Sequence, residues 1–411
     1  MHDSRDRYIH ALRRKKPGRP AVVMGDLTLV RSLGLARIPS IVVTTSPDDI
    51  TVRSRHAVGY ALIDGFDTGS GERTAEALVA LGRRLAPRGG RSALFYGNDA
   101  QLAFLHAWRA PLEESFAFVL NDDALGAALR DKELFYPLAM RAGVPVPRTA
   151  LADDTGAILA MRAPLVIKPR AKVGWKALQR ALFHDAKAKM YATPEELLRD
   201  PLFAVHRHTL LVQELVLGDV EDHYSFHGFA DPDGRLLAHY SGHKLRTYPN
   251  VSGESSFIEL TTDPRVIELG MDVVRRLGVR GVFKIDMIRD RRDGQLYVLE
   301  LNARFNLWNY LGAVHGVNLP AVAYDFLEAR DRGEAPRRWR APLSPSRPRV
   351  RWLNFYRDLR AYREGAGRGK LSLRQWARSL ASSRKIYEAF AWTDPIPFAW
   401  WVAEYVRRRV A

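Results

Sequence analysis

"LYVLELNAR", residues 296–304, sets a carboxylate and an amide two positions apart at the end of an apolar run. Side chains two apart in a strand point to one face. Glu300 and Asn302 are therefore expected to share a face with Leu296 and Val298, with Tyr297, Leu299 and Leu301 on the other. A carboxylate removed from water needs a cation, a base or a metal. Just upstream, "FKIDMI" (283–288) alternates in the same way, so Asp286 shares a face with Lys284 while Phe283, Ile285 and Met287 turn to a core. The intervening "RDRRDG" (289–294) reads as a hairpin connection, and antiparallel pairing across it would bring Asp286 within reach of Glu300. Two carboxylates and an amide oxygen make a hard oxygen set suited to Mg²⁺ or Mn²⁺. The plainer alternative is a structural cluster neutralised by Lys284 or Arg304.

The remainder of the chain sets the context. Its 411 residues suffice for two or three domains, and 46% hydrophobic with 27% charged residues is ordinary globular composition. With no cysteine, disulfides, thiolate zinc sites, iron–sulfur ligation and cysteine nucleophiles are excluded, which fits a reducing cytoplasm. "MHDSRDRYIHALRRKKPGRP" (1–20) mixes acids with bases and lacks an apolar stretch, so no secretory signal is expected. The net charge of +17 invites an anionic partner, but the bases are spread along the chain rather than gathered, and no nucleic acid is expected.

"AVVMG" (21–25), helical "LVRSLGLA" (29–36) and "IPSIVVTT" (38–45) read as a βαβ unit. "GYALIDG", "ERTAEALVALGRRLA" and "SALFYGND" continue the alternation, predicting a small parallel sheet. Gly25 alone is no dinucleotide fingerprint. Helices run to about Arg141, and "GVPVPRT" (143–149) is a Pro-stiffened connection. Strands are expected at "PLVIKPR", "TLLVQELV", "DHYSFHGFA", "RLLAHYSGHKL" and "SSFIEL", with a turn at "DPDG" and a helix capped by Asp263. From about Asp331 the composition shifts to Arg, Trp and Pro, which suggests an appended helical segment.

This ordered series resembles the ATP-grasp superfamily, whose relatives include biotin carboxylase, carbamoyl-phosphate synthetase and D-alanine–D-alanine ligase, over about residues 20 to 330. The resemblance implies an α/β and α+β chain: a basic tail (1–19), an N-terminal parallel α/β domain (20–120), a grasp domain (121–330, small lobe about 145–216, large lobe about 217–330) and a C-terminal helical extension (331–411). "LRDKELFYPLAMRAGVPVPRT" (129–149) looks like the segment whose lysine, Lys132, reaches the nucleotide phosphates, and "PLVIKPR" supplies Lys168 for the α- and β-phosphates. "LLVQELVLGDVED" (210–222) looks like the inter-lobe hinge, where Glu214 and the backbone of Leu215 and Val216 would address adenine and Glu221 the ribose, with Gln213 a further cofactor-binding residue. "FKIDMI…LELNARF" matches the metal hairpin, with Asp286, Glu300 and Asn302 as ligands of Mg²⁺ or Mn²⁺ and Arg304 aimed at a phosphate or acyl phosphate. "SGHKLRTYPNVSGESS" (241–256) resembles a stretch of carboxylate–amine ligases of this superfamily, in which His243, Lys244 and Arg246 would neutralise a carboxylate or its acyl phosphate. The phosphate-covering loop departs from the pattern: "RAKVGWKAL" (170–178) offers one glycine, Gly174, beside Lys172 and Lys176.

The function so implied is an ATP-dependent, ADP-forming ligase that activates a small-molecule carboxylate for attack by an amine, in the cytoplasm. The alternatives are a nucleotide-binding regulatory or scaffold protein and a nucleic-acid-binding protein. His206 and His208 read as surface residues rather than ligands. "DPIPFAWWVAEYVRRRV" (394–410) predicts a short helix with Phe398, Trp401 and Tyr405 on one side, expected to pack back on the core, with a membrane surface as the alternative partner.

Overall fold

The computed structural model describes residues 19–66, 71–86, 90–170, 182–183, 188–250, 253–335, 350–367, 369 and 371–410. The N-terminal unit is the expected parallel sheet, built from β1 (Ala21–Met24), β2 (Ser40–Thr44), β3 (Ala57–Leu62), β4 (Ser92–Tyr96) and β5 (Phe116–Ala117) in the order β3-β2-β1-β4-β5. Strands β1, β2 and β4 are buried along their whole length, as a sheet covered on both faces requires. The order reverses between β1 and β4, and there Gly25 and Gly97 lie side by side: a Cβ on Gly97 would come 3.3 Å from the Gly25 Cα. Ligands of open α/β sheets bind at such a switch point, beyond the carboxyl ends of the strands.

The small lobe is a four-stranded antiparallel sheet, β6 (Thr149–Leu151), β7 (Leu165–Pro169), β8 (Lys189–Tyr191) and β9 (Leu210–Glu214), in the order β6-β9-β7-β8. It has its own core, which includes Ile158, Leu165, Ile167, Phe203, Leu210 and Val212. The glycine-poor loop with Lys172, Gly174 and Lys176 lies outside the described residues.

The large sheet has seven strands: β10 (His223–Ala230), β11 (Leu236–Tyr248), β12 (Glu254–Thr261), β13 (Gly281–Arg289), β14 (Leu296–Asn302), β15 (Val350–Leu353) and β16 (Arg384–Tyr387), ordered β14-β13-β10-β11-β12-β15-β16. The expected turn at "DPDG" joins β10 to β11, closed by Gly234 N–H donating to Asp231 O (2.9 Å). Helix Pro264–Leu277 begins where expected: the Asp263 carboxylate accepts from Arg265 N, Pro264 opens the first turn, and Gly278 ends it at φ 63. Its Gly270 packs on the Phe226 ring, where a Cβ would lie 2.2 Å from the ring carbon. Gly281 starts β13 at φ 74, and a Cβ there would meet Val119 O at 2.5 Å, so only glycine lets the hairpin approach the N-terminal unit this closely. One continuous core joins that unit to the large sheet, from Val22 and Phe95 to Phe283 and Leu301.

Two β-bulges reverse parts of the sequence reading. Asp286 pairs with Glu300 and Met287 with Val298, so Leu299 is the extra residue in β14. Leu296, Val298 and Leu301 therefore lie together on the core side, and Glu300 with Asn302 turns away from Val298 instead of sharing its face. Tyr136 Oη donates to the Leu299 carbonyl (2.8 Å), which ties helix Lys132–Arg141 to the bulge. A second bulge, at Leu245, pairs Lys244 with Ile258 and Arg246 with Phe257, so these two cations leave opposite faces of the sheet.

The C-terminal extension is helical over Phe355–Gly367, Leu373–Ala381 and Ile396–Val410, but it also donates β15 and β16, parallel to each other, to the large sheet. It returns to the N-terminal unit through a buried ion pair, Arg31 Nε to Asp394 Oδ2 at 3.1 Å. Among the described residues, no helix is long and apolar enough to cross a membrane.

Candidate active site

The carboxylate hairpin forms as the alternation predicts. Asp286 and Glu300 are directly opposed across β13 and β14, and Lys284 opposes Asn302. The Asn302 amide nitrogen lies 3.4 Å from Asp286 Oδ2 and 3.3 Å from Glu300 Oε2, so the three side chains converge on one point. Lys284 Nζ sits 2.9 Å from Asp286 Oδ1, and Ser225 Oγ donates to the same oxygen at 2.9 Å. Lys132 Nζ approaches Glu300 Oε1 at 3.9 Å. Burial alone would raise the Asp286 pKa, but Lys284 and Lys244 outweigh it, and Glu300 only partly opposes them, so the group is held at about 2. Asp286 is therefore an anion at neutral pH.

The cations come from four separate elements. Lys132 opens its helix, with its N–H donating to Arg170 O, and the Arg170 guanidinium contacts Glu133. Lys168, on β7, donates to Gln213 Oε1 on β9 at 2.7 Å, and Gln213 in turn donates to Thr149 Oγ1 at 2.8 Å. Burial, helped by Lys132 and opposed by Glu300, lowers the Lys168 pKa to about 8. Lys244 is close enough to act electrostatically on both Asp286 and His223. His223 is pushed down to about 3 by burial, then by Lys244, with Lys168 and Lys284 adding to the effect against Asp286. An imidazole among three ammonium groups stays neutral, able to donate or accept one hydrogen bond without adding charge.

In the segment expected as the hinge, several polar atoms are engaged within the protein. Glu214 accepts from Arg162 N at 2.8 Å, Leu215 N–H donates to Pro164 O at 2.9 Å, and Arg292 donates to Leu215 O at 3.2 Å. Val216 is buried, and Glu221 is exposed in the short turn Val220–Asp222. Arg304 leaves the hairpin toward the N-terminal unit: its Nη2 lies 3.0 Å from Asp99 Oδ2 and its Nη1 is 3.5 Å from Gly97 O. The carboxylate cluster is thus joined by one arginine to the β1/β4 switch point.

Of the basic segment, only Lys244 reaches the cluster. Arg246 makes a two-pronged contact with the buried Asp358 (2.8 and 3.0 Å) and lies over the Phe257 ring. His243 bonds to Glu259 at 2.9 Å, stacks on Tyr224, and shares the far face. The bulge at Leu245 separates Arg246 from Lys244, and His243, next to Lys244 in the strand, lies on the far face by simple alternation. Sequence reasoning passed over His223, Ser225 and Asp99. The signal for the first two was present, since His223, Ser225 and His227 alternate along β10 beside Asp286. His227 lies deeper on that face, stacked between Tyr240 (4.6 Å) and Trp308 (5.1 Å).

Two carboxylates and one amide fit a divalent cation that takes its remaining ligands from water and phosphate oxygens. Among the described residues no three His, Asp or Glu side chains gather to hold a metal, so a cage made wholly of such groups is not what the site offers. For a cation, the Asn302 amide must present its oxygen in place of the nitrogen that now faces both carboxylates.

Residues 129–306 match the ATP-grasp domain family. This region is an ATP-grasp domain. The chain is 22% identical over 275 residues to a D-aspartate ligase of Enterococcus faecium (strain Aus0004), covering 64% of each chain, so it spans just under two thirds of that relative. Among solved structures it resembles N5-carboxyaminoimidazole synthetase from Staphylococcus aureus complexed with ADP, with TM-score 0.57, 12% identity, and 79% of this chain and 80% of that one covered. It also resembles a biotin carboxylase–β-γ-ATP complex from Campylobacter jejuni, with TM-score 0.55, 14% identity, and 79% and 72% covered. At these identities the two structures speak to the fold, and they confirm the architecture expected from the motifs.

Proposed function

We propose that the protein is an ATP-dependent, ADP-forming ligase that activates a small-molecule carboxylate as an acyl phosphate and passes the acyl group to an amine. The observation that carries this reading is the convergence of Asp286, Glu300 and Asn302 within reach of Lys132, Lys168, Lys244 and Lys284. A Mg²⁺ or Mn²⁺ ion held by Asp286, Glu300 and Asn302 would supply charge neutralisation for the β- and γ-phosphates. Lys168 and Lys132 hold the phosphate chain, and the hinge around Glu214 to Val216, with Glu221 near the ribose, receives the nucleoside. A substrate carboxylate oxygen attacks the γ-phosphorus and ADP leaves. Arg304, fixed by Asp99 at the switch point, steadies the acyl phosphate, and Lys244 approaches from the other side. The amine nitrogen then attacks the acyl carbon, phosphate departs, and the surplus amine proton is lost. ATP activates the carboxylate, so no side-chain nucleophile is required. A chain without cysteine that consumes ATP suits the cytoplasm.

The D-aspartate ligase likeness makes amino acids the first substrates to test. The experiment is ADP release with Mg²⁺ over a panel of amino acids, hydroxy acids and small peptides, offered singly and in pairs. ADP that appears only when an acid and an amine are both present supports the ligase. ATP binding with no turnover over the whole panel would favour a regulatory nucleotide-binding role.

Lys168 provides a second test. Replacing it with Ala should weaken ATP about tenfold or more and adenosine hardly at all, because the lost contact is a charged hydrogen bond to phosphate. Equal losses would move Lys168 away from the phosphates. Its folded-state pKa of about 8 lies below the ordinary lysine value, so the free protein sheds this proton as pH rises through that point. Phosphate binding favours the charged form. ATP binding should therefore take up a proton above that pH and weaken as pH rises, and calorimetry in buffers of different ionisation enthalpy should show the uptake disappear in Lys168→Ala.

A further inference from the structure

Among its described side chains, helix Ile396–Val410 docks by one side. Pro397 is buried, and Trp400 takes the Arg53 guanidinium over its ring at 5.0 Å. The other side carries Ile396, Trp401, Val402, Tyr405 and Val406, all more than a third exposed, and the preceding Trp392 is 87% exposed. Trp392, Trp401 and Tyr405 belong to one ridge of rings: Trp392 on Phe390, Phe390 on Phe398, Phe398 on Trp401, and Trp401 on Tyr405. The helix contains a single acid, Glu404, which is engaged by Arg407, and its sequence ends in three consecutive arginines before Val410.

We infer that this face is a docking surface for an anionic lipid membrane. Trp and Tyr rings, polar at one edge and apolar in the body, settle at the headgroup boundary, and arginines that follow in the sequence add attraction to anionic lipids. Fifteen residues span about 22 Å as a helix, enough to lie in the interface and too short to cross the bilayer. Charge decides between a membrane and a second copy. A chain of net charge +17 repels its own kind and is drawn to a negative surface. The exposed rings of the ridge, Trp392, Trp401 and Tyr405, each carry a polar edge suited to a headgroup boundary.

The test is co-sedimentation of the full chain with phosphatidylcholine vesicles, and with the same vesicles containing phosphatidylserine, at low and high salt. The protein should pellet with the anionic vesicles at least about tenfold more strongly than with the neutral ones, and salt should weaken the binding. The double substitution Trp401→Ser with Tyr405→Ser should cut vesicle binding about tenfold through lost apolar contact while the melting temperature and ATP affinity stay put. Wild-type protein that stays in the supernatant at low salt would overturn the inference. So would a double variant that pellets as well as wild type. A wild-type dimer that the double substitution converts to monomer would overturn it in favour of an interface between copies.

Discussion

Glu300→Gln is expected to abolish Mg²⁺-dependent turnover, lowering it about a hundredfold or more, while the protein unfolds at nearly the same temperature. Glu300 is one of only two carboxylates in the converging set, directly opposite Asp286, with the Asn302 amide bridging the two. The substitution keeps the side-chain volume and removes one charge. What remains is a single anion, Asp286, which Lys284 already contacts at 2.9 Å. A divalent ion then meets a nearly neutral site. The fold should tolerate the change, since the Glu300 side chain is about a third exposed and its contact with Lys132 is long, at 3.9 Å. Because the acid and amine are still to be found, the first readout is ATP affinity titrated against Mg²⁺. Wild type should bind ATP more tightly as Mg²⁺ rises, and the variant should lose most of that dependence. A variant with an unchanged Mg²⁺ response would remove Glu300 from the metal site and leave the cluster a structural one.

The hairpin that carries this chemistry was legible because it rests on parity: alternation in "FKIDMI" and "LELN" puts Asp286, Glu300 and Asn302 on one face whatever else the chain does. Parity is also where the reading failed. An extra residue at Leu299 or Leu245 shifts every later side chain to the other face, and nothing in the composition of those segments marks a bulge. Hence Val298 faces the core instead of sharing the Glu300 face, and Arg246 parts from Lys244; His243 lies on the far face by alternation alone, so of the three only Lys244 faces Asp286. The strands β15, "VRWL", and β16, "RKIY", were hidden for a different reason. Each has four residues, half or a quarter of them basic apart from the apolar positions that make Trp352 and Ile386 part of a core, and neither has a local partner. Their pairing depends on β12, about ninety residues upstream of β15, and long-range pairing leaves no local pattern to read. Asp99 carries no local signal because its partner, Arg304, is distant in sequence and is brought to it by the packing of the hairpin against the N-terminal unit.

Asp394→Ala should lower the unfolding free energy by about 3–5 kcal/mol, which would be the largest stability loss of any single substitution considered. Arg31 is 1% exposed and Asp394 is 0% exposed, so both charges are out of water. Every part of the pair is engaged. Arg31 Nε donates to Asp394 Oδ2, Nη1 to Glu388 O, and Nη2 to Ala389 O and Asp394 O. The carboxylate also accepts from Ser54 Oγ and from Arg55 N, both at 2.8 Å. Removing the acid leaves a buried guanidinium facing only carbonyl dipoles, and two further donors lose their acceptor. Such pairs need not be stabilising in themselves, since well-packed apolar residues can replace both partners at little cost. Arg31→Met with Asp394→Leu should therefore recover the part of the loss due to the unpaired guanidinium, but not the part due to Ser54 Oγ, Arg55 N–H and the three carbonyls, which stay without their partners. The pair is also what fastens the segment before helix Ile396–Val410 to the N-terminal unit, so in the single variant Trp400 should leave its stack on Arg53 before the core unfolds. Tryptophan fluorescence should then report an early transition that is absent from the far-UV signal. ATP affinity, which depends on lysines and carboxylates of other elements, should be unchanged at temperatures below that transition. A loss under about 1 kcal/mol, in the range of a surface ion pair, would mean that water reaches Arg31 and that the extension is held chiefly by its two strands and the Arg246–Asp358 contact.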